Sequence, residues 1–465
     1  MKRLFLSLLV MSGTAGAMAQ DASSQLIKAY KLSAFELFNA TVAGQKDNVC
    51  FSPLSVQMAL SMVQHGAGGT TLSQIQQVLG VEGYSSEEIG LFNKQLTQAL
   101  TTRPPYNPSD YVLYEGMDAE ELYNQRYPLC ELANAVWTRW PDVVLRDDFA
   151  QALRTYYDAG VDAVEFNTWE GIGKINAWAD EHTHGLIPKI YNEPLDDYVI
   201  SVLANALYFK GGWTVPFYER ATRKGRFFLD DATYVEVDMM SAAGHYKTSA
   251  TSALRSVTLG FGMTGDFSMT LFVPVEGTEL PPLTYDEWDA AMNAETVALG
   301  LHVPRFEVSG KYLLNNVLKG LGMTDAFDPY KADLSKMFED NSVGKYIGKA
   351  FQLSKINVDE KGAEAAAITV FETDGNGIID YKDFSADRPF YFTIQSREAD
   401  AILFVGRVTK LDGSIMQVEG ITDNKIVNSK FVNSKFFDLT GRRLAAPPTR
   451  GVYIEEGKIK LKVEN

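Results

Sequence analysis

Few residues of this 465-residue chain have the types and spacing that catalysis requires. The sequence has no Gly-x-Ser-x-Gly elbow, no His-Glu-x-x-His helix and no phosphate-binding glycine loop. Of its five histidines, only His182 and His184 form a close pair. Two positions apart on a helix their rings would diverge, and no third ligand is evident. We therefore interpret the pair as a polar helix end and expect that the chain is not an enzyme.

Residues 360–389 indicate a different chemistry. Small residues follow Gly362, and strongly β-like segments flank the stretch at 351–358 and 390–394. At a period of two, one face would present only methyl groups and a hydroxyl, from Ala363, Ala365, Ala367 and Thr369. Such a segment could slide into a sheet as a strand. The alternative is a surface helix followed by a loop.

The same stretch carries oxygen side chains at the spacing of an EF-hand calcium loop. Positions 1, 3, 5, 9 and 12 would be Glu372, Asp374, Asn376, Asp380 and Asp383, with a glycine at position 6. A glutamate at position 1 is long for the tight turn, and an aspartate at position 12 is short for bidentate ligation. Calcium binding and a chance match in a polar, glycine-rich loop are therefore both open.

The composition excludes several classes of partner. With 43 basic and 59 acidic residues the formal charge is −16, which disfavours nucleic acid and heparin-like polyanions. A hydrophobic fraction of 46% is enough for one large core or two ordinary ones. Cys50 and Cys130 are too few for a disulfide framework, and we expect independent core thiols, with a single disulfide as the alternative.

The first nineteen residues read as a signal peptide. Lys2 and Arg3 precede an apolar run, and residues 17–19 form a small-x-small cleavage site. No later stretch approaches the ~18 apolar residues that a membrane span needs. We expect a product that begins near Gln20 and is secreted or displayed at the cell surface, with the periplasm as the alternative.

The elements that would position these residues are mixed. Helix signals fall at 23–42, 53–66, 70–79, 147–159 and 169–183, and β-rich runs fall at 199–209, 235–240, 268–273 and 301–308. They lack the regular alternation of a parallel α/β sheet, so the fold class is α+β. Residues 101–129 hold four prolines and five acids, and we interpret them as a solvated loop inserted into the domain.

Eight segments resemble, in this order, the signature motifs of the serpin family. They are Asn48-Val-Cys-Phe-Ser-Pro-Leu-Ser, Leu203-Ala-Asn-Ala-Leu-Tyr-Phe-Lys-Gly-Gly-Trp, His302-Val-Pro-Arg-Phe, Leu318-x-x-Leu-Gly-Met, Ala332-Asp-Leu-Ser, Val358-Asp-Glu-Lys-Gly-Ala-Glu-Ala-Ala-Ala, Arg388-Pro-Phe and Leu403-Phe-Val-Gly-Arg-Val. The resemblance spans about residues 24–411. It implies a serpin domain over 20–412 with three β-sheets, eight to nine helices, a metastable state and an exposed reactive loop at 360–388.

The resemblance also implies the residues of the loop. The hinge would comprise Glu360, Gly362, Ala363, Ala365, Ala366, Ala367 and Thr369. The cut in inhibitory members lies fourteen residues beyond the hinge glycine, which gives the bond between Asn376 and Gly377. This bond disfavours trypsin-like targets and suits an enzyme that accepts a small or amide side chain. A shift of the cut to Phe371 or Ile378 would suit chymotrypsin-like or elastase-like enzymes.

Two further regions of the family can be assigned by resemblance. The shutter beneath the sheet would comprise Ser52, Pro53, Ser55 and Asn205, and the breach where insertion begins would contain Trp213. The shutter histidine of many members is replaced here by Gln352. A glutamine also donates and accepts, so we expect retained function with altered opening energetics.

The last segment differs in charge from the rest. Residues 421–465 hold nine basic and five acidic side chains, against a net charge of about −20 before them. Phe437-Asp-Leu-Thr-Gly-Arg-Arg and Gly451-Val-Tyr-Ile resemble the type IX sorting β-domains of secreted Bacteroidetes proteins. We expect a C-terminal β module at 413–465, and the alternative is a β appendage without a sorting role.

The leading hypothesis is a secreted, monomeric suicide inhibitor that traps a serine protease as an acyl-enzyme. Papain-like cysteine proteases are alternative targets. A non-inhibitory serpin whose loop binds a partner or responds to calcium is the second hypothesis. An exported hydrolase is the third, and it lacks a recognisable site.

Overall fold

The structure is a computed structural model that describes residues 13–111, 118–229, 233–340, 344–363 and 382–417, together with short strands between 436 and 462. The chain forms two compact units. One comprises Met1–Phe227 with Glu236–Gly413, and the other comprises Phe228–Val235 with Ser414–Asn465.

Nine α-helices occur in the described residues. They are α1 Gly13–Val42, α2 Pro53–Gly66, α3 Gly69–Leu79, α4 Ser86–Thr101, α5 Ala119–Arg126, α6 Asp147–Tyr157, α7 Trp169–His182, α8 Tyr285–Met292 and α9 Asn315–Gly320. Ser52 caps α2 by accepting a hydrogen bond from the Ser55 amide, and the left-handed Gly80 ends α3. α1 begins at Gly13 and so includes the expected cleavage motif.

A six-stranded sheet carries the start of the predicted loop. Its order is β10-β11-β12-β4-β2-β3. The strands are β2 Leu129–Arg139, β3 Gly160–Val164, β4 Ser201–Gly212, β10 Phe306–Leu313, β11 Phe351–Val358 and β12 Gly362–Ala363. β2 and β4 are antiparallel neighbours, as are β10 and β11.

A larger sheet packs behind it and has the order β1-β15-β14-β8-β7-β6-β9-β13, with β5 paired to β6. The strands are β1 Val49–Phe51, β5 Arg223–Phe228, β6 Thr233–Ala250, β7 Leu254–Gly260, β8 Phe267–Pro274, β9 Thr296–Pro304, β13 Lys382–Ser385, β14 Phe390–Ser396 and β15 Ala401–Val408. β14 and β15 are buried along their whole length, and most of their residues are apolar.

In the second unit, β16 Met416–Gln417 pairs with Thr233 and Tyr234. A four-stranded sheet of order β18-β17-β19-β20 follows. Its strands are β17 Phe436–Phe437, β18 Arg443–Leu444, β19 Gly451–Glu455 and β20 Lys458–Lys462.

The insertion at 101–129 is not a solvated loop throughout, which corrects the expectation from its prolines and acids. It contains a 3-10 turn at Pro108–Tyr111 and the helix α5, in which Leu122, Tyr123 and Gln125 are buried. The sequence missed this helix because it has few apolar residues of its own, and its burial comes from contacts distant in sequence.

The core holds both cysteines as free, buried thiols, so the structure favours the interpretation without a disulfide. Within the described part of the chain, no helix combines the length and the hydrophobicity needed to cross a bilayer.

Candidate functional site

The predicted loop leaves the six-stranded sheet at β12. Gly362 is opposite Gly212 and Ala363 is opposite Gly211 on β4, while Ala363 also pairs with Val358 on β11. A Cβ atom on Gly362 would lie 2.0 Å from the Gly211 carbonyl oxygen, so only glycine fits there. Ala363 is 1% exposed, which leaves no room for a large side chain.

Beyond the two residues of β12, the strands β4 and β11 flank a gap in the sheet, which we call the seam. Within the described residues, these two strands are joined through β12 and have no ladder with each other. A shallow cleft lies at this place, lined by Leu186, Leu207, Phe209, Lys355, Ile356, Asn357 and Phe404. Its walls are therefore the flanks of β4 and β11, where an added strand could find hydrogen-bonding partners.

Trp213 closes the upper end of the seam. Its indole Nε1 donates to the Asp359 carbonyl oxygen at 2.8 Å, and its backbone amide donates to the Lys361 carbonyl oxygen at 2.9 Å. Its ring stacks on Phe261 with centroids 4.4 Å apart. Trp213, which the family resemblance assigns to the breach, is thus bonded to both sides of the turn that leads from β11 into β12.

Glu360 lies in that turn and is 3% exposed. Arg305 donates two hydrogen bonds to its carboxylate, each of 2.7 Å, and the Thr222 hydroxyl donates a third. Burial opposes ionisation of Glu360, but the Arg305 and Thr222 bonds outweigh it and lower the pKa of the carboxyl. The same ion pair raises the pKa of Arg305. A charged clamp therefore fixes the base of the hinge.

Gln352 holds the start of α2 beneath the sheet. Its Nε2 donates to the Ser52 carbonyl oxygen at 2.6 Å, and the Ser52 amide donates to its Oε1 at 3.2 Å. Pro53 occupies the first turn of α2, and Ser55 is buried beside the cap. The structure therefore brings Ser52, Pro53, Ser55 and Gln352 together.

Asn205 takes a different partner. Its Nδ2 donates to Asn134 Oδ1 on β2 at 2.8 Å, and Asn134 in turn donates to the Tyr157 carbonyl oxygen. Its buried Oδ1 accepts no hydrogen bond among the described residues. No hydrogen bond of the described structure joins Asn205 to Gln352.

The predicted loop also ends in a strand. β13 runs parallel to β9, and Asp383 lies on it opposite Gly300. Asp383 Oδ1 is 3.9 Å from His302 Nε2. Ala365, Ala366, Ala367, Thr369, Glu372, Asp374, Asn376, Gly377 and Asp380 lie outside the described residues, so their roles stay predictions.

Sequence reasoning missed Arg305 and Thr222, although Arg305 stands within a quoted motif, His302-Val-Pro-Arg-Phe. The sequence of 301–308 indicates a single β segment. The chain instead passes at Arg305 from β9 in the larger sheet to β10 in the six-stranded sheet. This crossing brings the guanidinium to Glu360.

Comparisons with known proteins agree with this architecture. A family model described as serpin (serine protease inhibitor) matches residues 28–411. Neuroserpin of Gallus gallus is 29% identical over 395 residues, which cover 80% of this chain and 88% of that protein. Serpin B11 of Homo sapiens is 31% identical over 391 residues, which cover 81% of this chain and 96% of that protein.

The solved structure of a thermophilic serpin, tengpin, in the native state shares the fold. Its TM-score is 0.72 at 24% identity, over 87% of this chain and 96% of that chain. Proteins of this kind are generally protease inhibitors rather than catalysts. The family match, the identity to serpin B11 and the shared fold together show that the chain belongs to the serpin family.

Proposed function

We propose that this serpin is an exported suicide inhibitor of a protease, and that it is not itself an enzyme. The observation that supports this best is the seam between β4 and β11, where Gly362 and Ala363 already pair with β4. The small residues predicted to follow them would meet the same steric requirement. A large or charged inward residue would block insertion, since an unsatisfied buried polar group costs roughly 2–7 kcal/mol.

The proposed chemistry uses the catalytic machinery of the target. The nucleophile of the protease attacks the Asn376 carbonyl carbon, the bond to Gly377 breaks, and the new amino group takes the proton. An ester, or a thioester with a cysteine protease, then joins Asn376 to the protease. Insertion of residues from Ala363 onward between β4 and β11 would carry the acyl-enzyme away from its leaving group before water can attack.

A panel of proteases tests the proposal. The intact protein is mixed with chymotrypsin-like, elastase-like, trypsin-like and papain-like enzymes, and the products are resolved in SDS. We expect an SDS-stable complex with an enzyme that accepts a small or amide side chain. Mass spectrometry should show that the released fragment begins at Gly377. Cleavage of the loop by all of these enzymes without any complex would contradict inhibition and favour a non-inhibitory serpin.

Calcium binding by the loop is a second part of the proposal, and it rests on the spacing of Glu372, Asp374, Asn376, Asp380 and Asp383. Binding to the intact form alone would stabilise it by RT ln(1 + [Ca]/Kd), about 2.7 kcal/mol at a hundredfold excess over Kd, and would slow insertion. Calorimetric titration of the wild type and of Asp374→Ala with Asp380→Ala tests this. No heat of binding at millimolar calcium in the wild type would contradict it.

Export and sorting complete the proposal. Residues 1–19 would be removed as a signal peptide, and residues 413–465 would act as a sorting module of the type IX kind for a monomeric, secreted or surface-displayed product. The proposal is supported by the basic charge of residues 421–465 and by the motifs at Phe437 and Gly451. N-terminal sequencing and the location of a variant truncated after Asp412 test it. Unchanged localisation of the truncated variant would contradict a sorting role.

A further inference from the structure

The helix α5 lies at the end of β4, beside the point where the hinge leaves the sheet. Asp118 caps it by accepting hydrogen bonds from the amides of Glu120 and Glu121. β2 starts three residues after the helix ends, and its first residue, Leu129, pairs with Lys210 of β4. The insertion thus places a helix directly against the upper end of the seam.

Gln125 packs against Gly212 at the end of β4. A Cβ atom on Gly212 would lie 2.8 Å from Gln125 Cγ and 3.5 Å from the Lys361 carbonyl oxygen. Gly212 therefore lies between the helix and the hinge, and it pairs with Gly362. Gln125 is 7% exposed, and its Oε1 accepts no hydrogen bond among the described residues. Its contribution to this contact is packing.

The end of the helix is also bonded to the larger sheet. The Met263 amide donates to the Arg126 carbonyl oxygen at 3.0 Å, and the Gly262 amide donates to the Gly212 carbonyl oxygen at 2.8 Å. Met263 and Gly262 belong to the turn between β7 and β8. One turn of the larger sheet therefore holds both α5 and the end of β4.

The other arm of the insertion fixes α5 in turn. The Tyr123 hydroxyl donates to the Pro104 carbonyl oxygen at 2.6 Å. The Arg103 guanidinium lies 4.3 Å from the centre of the Tyr123 ring and donates to Asn124 Oδ1 at 2.8 Å. Residues at the start of the insertion and the turn that bonds its end therefore both hold α5 in place.

We propose that α5 is a brace that holds the end of β4 in place and limits the rate at which the seam opens. When β4 moves away from β11, either β4 must leave Gln125 or α5 must leave Met263, and the hydrogen bond from Gly262 to Gly212 must break as well. The brace itself rests on contacts within the folded protein. Its consequence for inhibition rests on the proposed function, since a looser brace would admit the cleaved loop faster.

Paired substitutions test each contact. Gln125→Ala removes the packing on Gly212, whereas Gln125→Leu keeps the packing and removes the unpaired carbonyl. Met263→Pro removes the amide that bonds Arg126, whereas Met263→Ala keeps that amide and changes only an exposed side chain. Glu120→Ala, on the exposed side of α5, controls for changes in helix stability.

The readout is hydrogen exchange of the amides at 207–217 in the intact protein without a protease. We expect exchange at least about threefold faster in Gln125→Ala and Met263→Pro, and within about twofold of the wild type in the three controls. Far-UV circular dichroism and exchange at β14 and β15 establish that the variants are folded. A wild-type exchange rate in either Gln125→Ala or Met263→Pro would overturn the brace.

The same variants separate this inference from the proposed function. If the brace is correct and the protein is an inhibitor, Gln125→Ala should also give more complex and less simple cleavage than the wild type. If no variant forms a complex but exchange at 207–217 still accelerates as expected, the proposed inhibition is wrong and the brace stands.

Discussion

At the scale of single residues, charge is concentrated at the base of the hinge. Glu360 is nearly inaccessible to solvent, yet it keeps its negative charge because Arg305 supplies two hydrogen bonds and Thr222 supplies another. The Arg305 side chain is 46% exposed, so one partner is buried and the other reaches solvent. Removing only the charge of Glu360 should therefore destabilise the base of the hinge.

Glu360→Gln should lower the thermal midpoint of the intact protein, and the difference should depend on pH. The pKa of Glu360 in the folded protein lies below its ordinary value of 4.5, so the ionised carboxylate stabilises the fold above that value. This stabilisation is lost as the pH falls through the folded pKa. The difference in midpoint between wild type and variant should thus be full at about pH 7 and shrink below about pH 4.5.

A thermal scan at a fixed rate across pH measures this difference. Glu307→Gln is the matched control, since Glu307 makes a 3.0 Å ion pair with Lys355 but is 55% exposed and should change the midpoint little at any pH. A Glu360→Gln difference that is the same at low and neutral pH would contradict the role of the charge.

If the proposed inhibition is correct, Ala363→Arg should turn the protein into a substrate of its target protease. Position 363 is buried between β4 and β11, so an arginine there would have to place an unpaired charge inside the sheet. We expect loop cleavage to continue while the SDS-stable complex is lost. Ala363→Ser, which is nearly the same size, should keep the complex. A complex formed by Ala363→Arg at the wild-type yield would contradict insertion through this position.

At the scale of elements, Gln352 links the start of α2 to β11. Gln352 on β11 satisfies both the amide and the carbonyl of Ser52, which caps α2. The link joins a helix to a strand that borders the seam. A loss of this side chain should therefore weaken the position of α2 under the sheet.

Gln352→Leu should reduce the free energy of unfolding. It leaves the buried Ser52 amide without a partner, at a cost of about 1–3 kcal/mol, and it removes one of the two hydrogen bonds to the Ser52 carbonyl oxygen, which still accepts from the Val56 amide. Gln352→His keeps a donor and an acceptor and should lose less. The midpoint of urea denaturation measures both variants. Equal midpoints for leucine and histidine would contradict the hydrogen-bonding role.

The elements that the sequence predicted correctly carry their own local signals. α2 begins where Ser52-Pro53 supplies a cap and a first-turn proline, and α3 ends at Gly80 in the left-handed region. α4 was missed although Ser85 and Glu88 form a capping box. α5 also carries a local signal, the cap at Asp118, but its eight residues lack a helical apolar stripe, and Gln125 packs against Gly212, which lies far along the chain.

The residues of the candidate site also divide into those that the sequence indicates and those that only the folded structure brings together. Small residues at the hinge could be recognised from their period and from the family resemblance. The pairing of Arg305 with Glu360 joins residues 55 positions apart and depends on the chain crossing between two sheets. A single sequence does not contain that register. The family resemblance assigns Asn205 to the shutter but does not indicate its hydrogen-bond partner. That partner is Asn134, which lies opposite Asn205 because β2 pairs with β4.

At the scale of the whole molecule, the proposed function requires that the intact form is not the most stable one. Cleavage within 371–378 should raise the thermal midpoint by at least about 10 °C, a shift that corresponds to roughly 8–10 kcal/mol in a chain of this size at about 2.1 cal/mol/K per residue. Calorimetry of intact and cleaved protein at one scan rate measures it. An unchanged midpoint after complete cleavage would mean that the loop does not insert.

The two buried cysteines make such motions measurable in the unaltered chain. Cys130 lies on β2 opposite Phe209 of β4, whereas Cys50 lies on β1 and is paired with Gly406 of β15. Burial raises the pKa of Cys50 to about 12 and also raises the pKa of Cys130, so neither sulfur reacts while it is covered. The rate of alkylation therefore measures how fast each sulfur becomes exposed to solvent. Faster labelling at Cys130 than at Cys50 would report breathing of the sheet beside the seam, and equal rates would report unfolding of the whole domain.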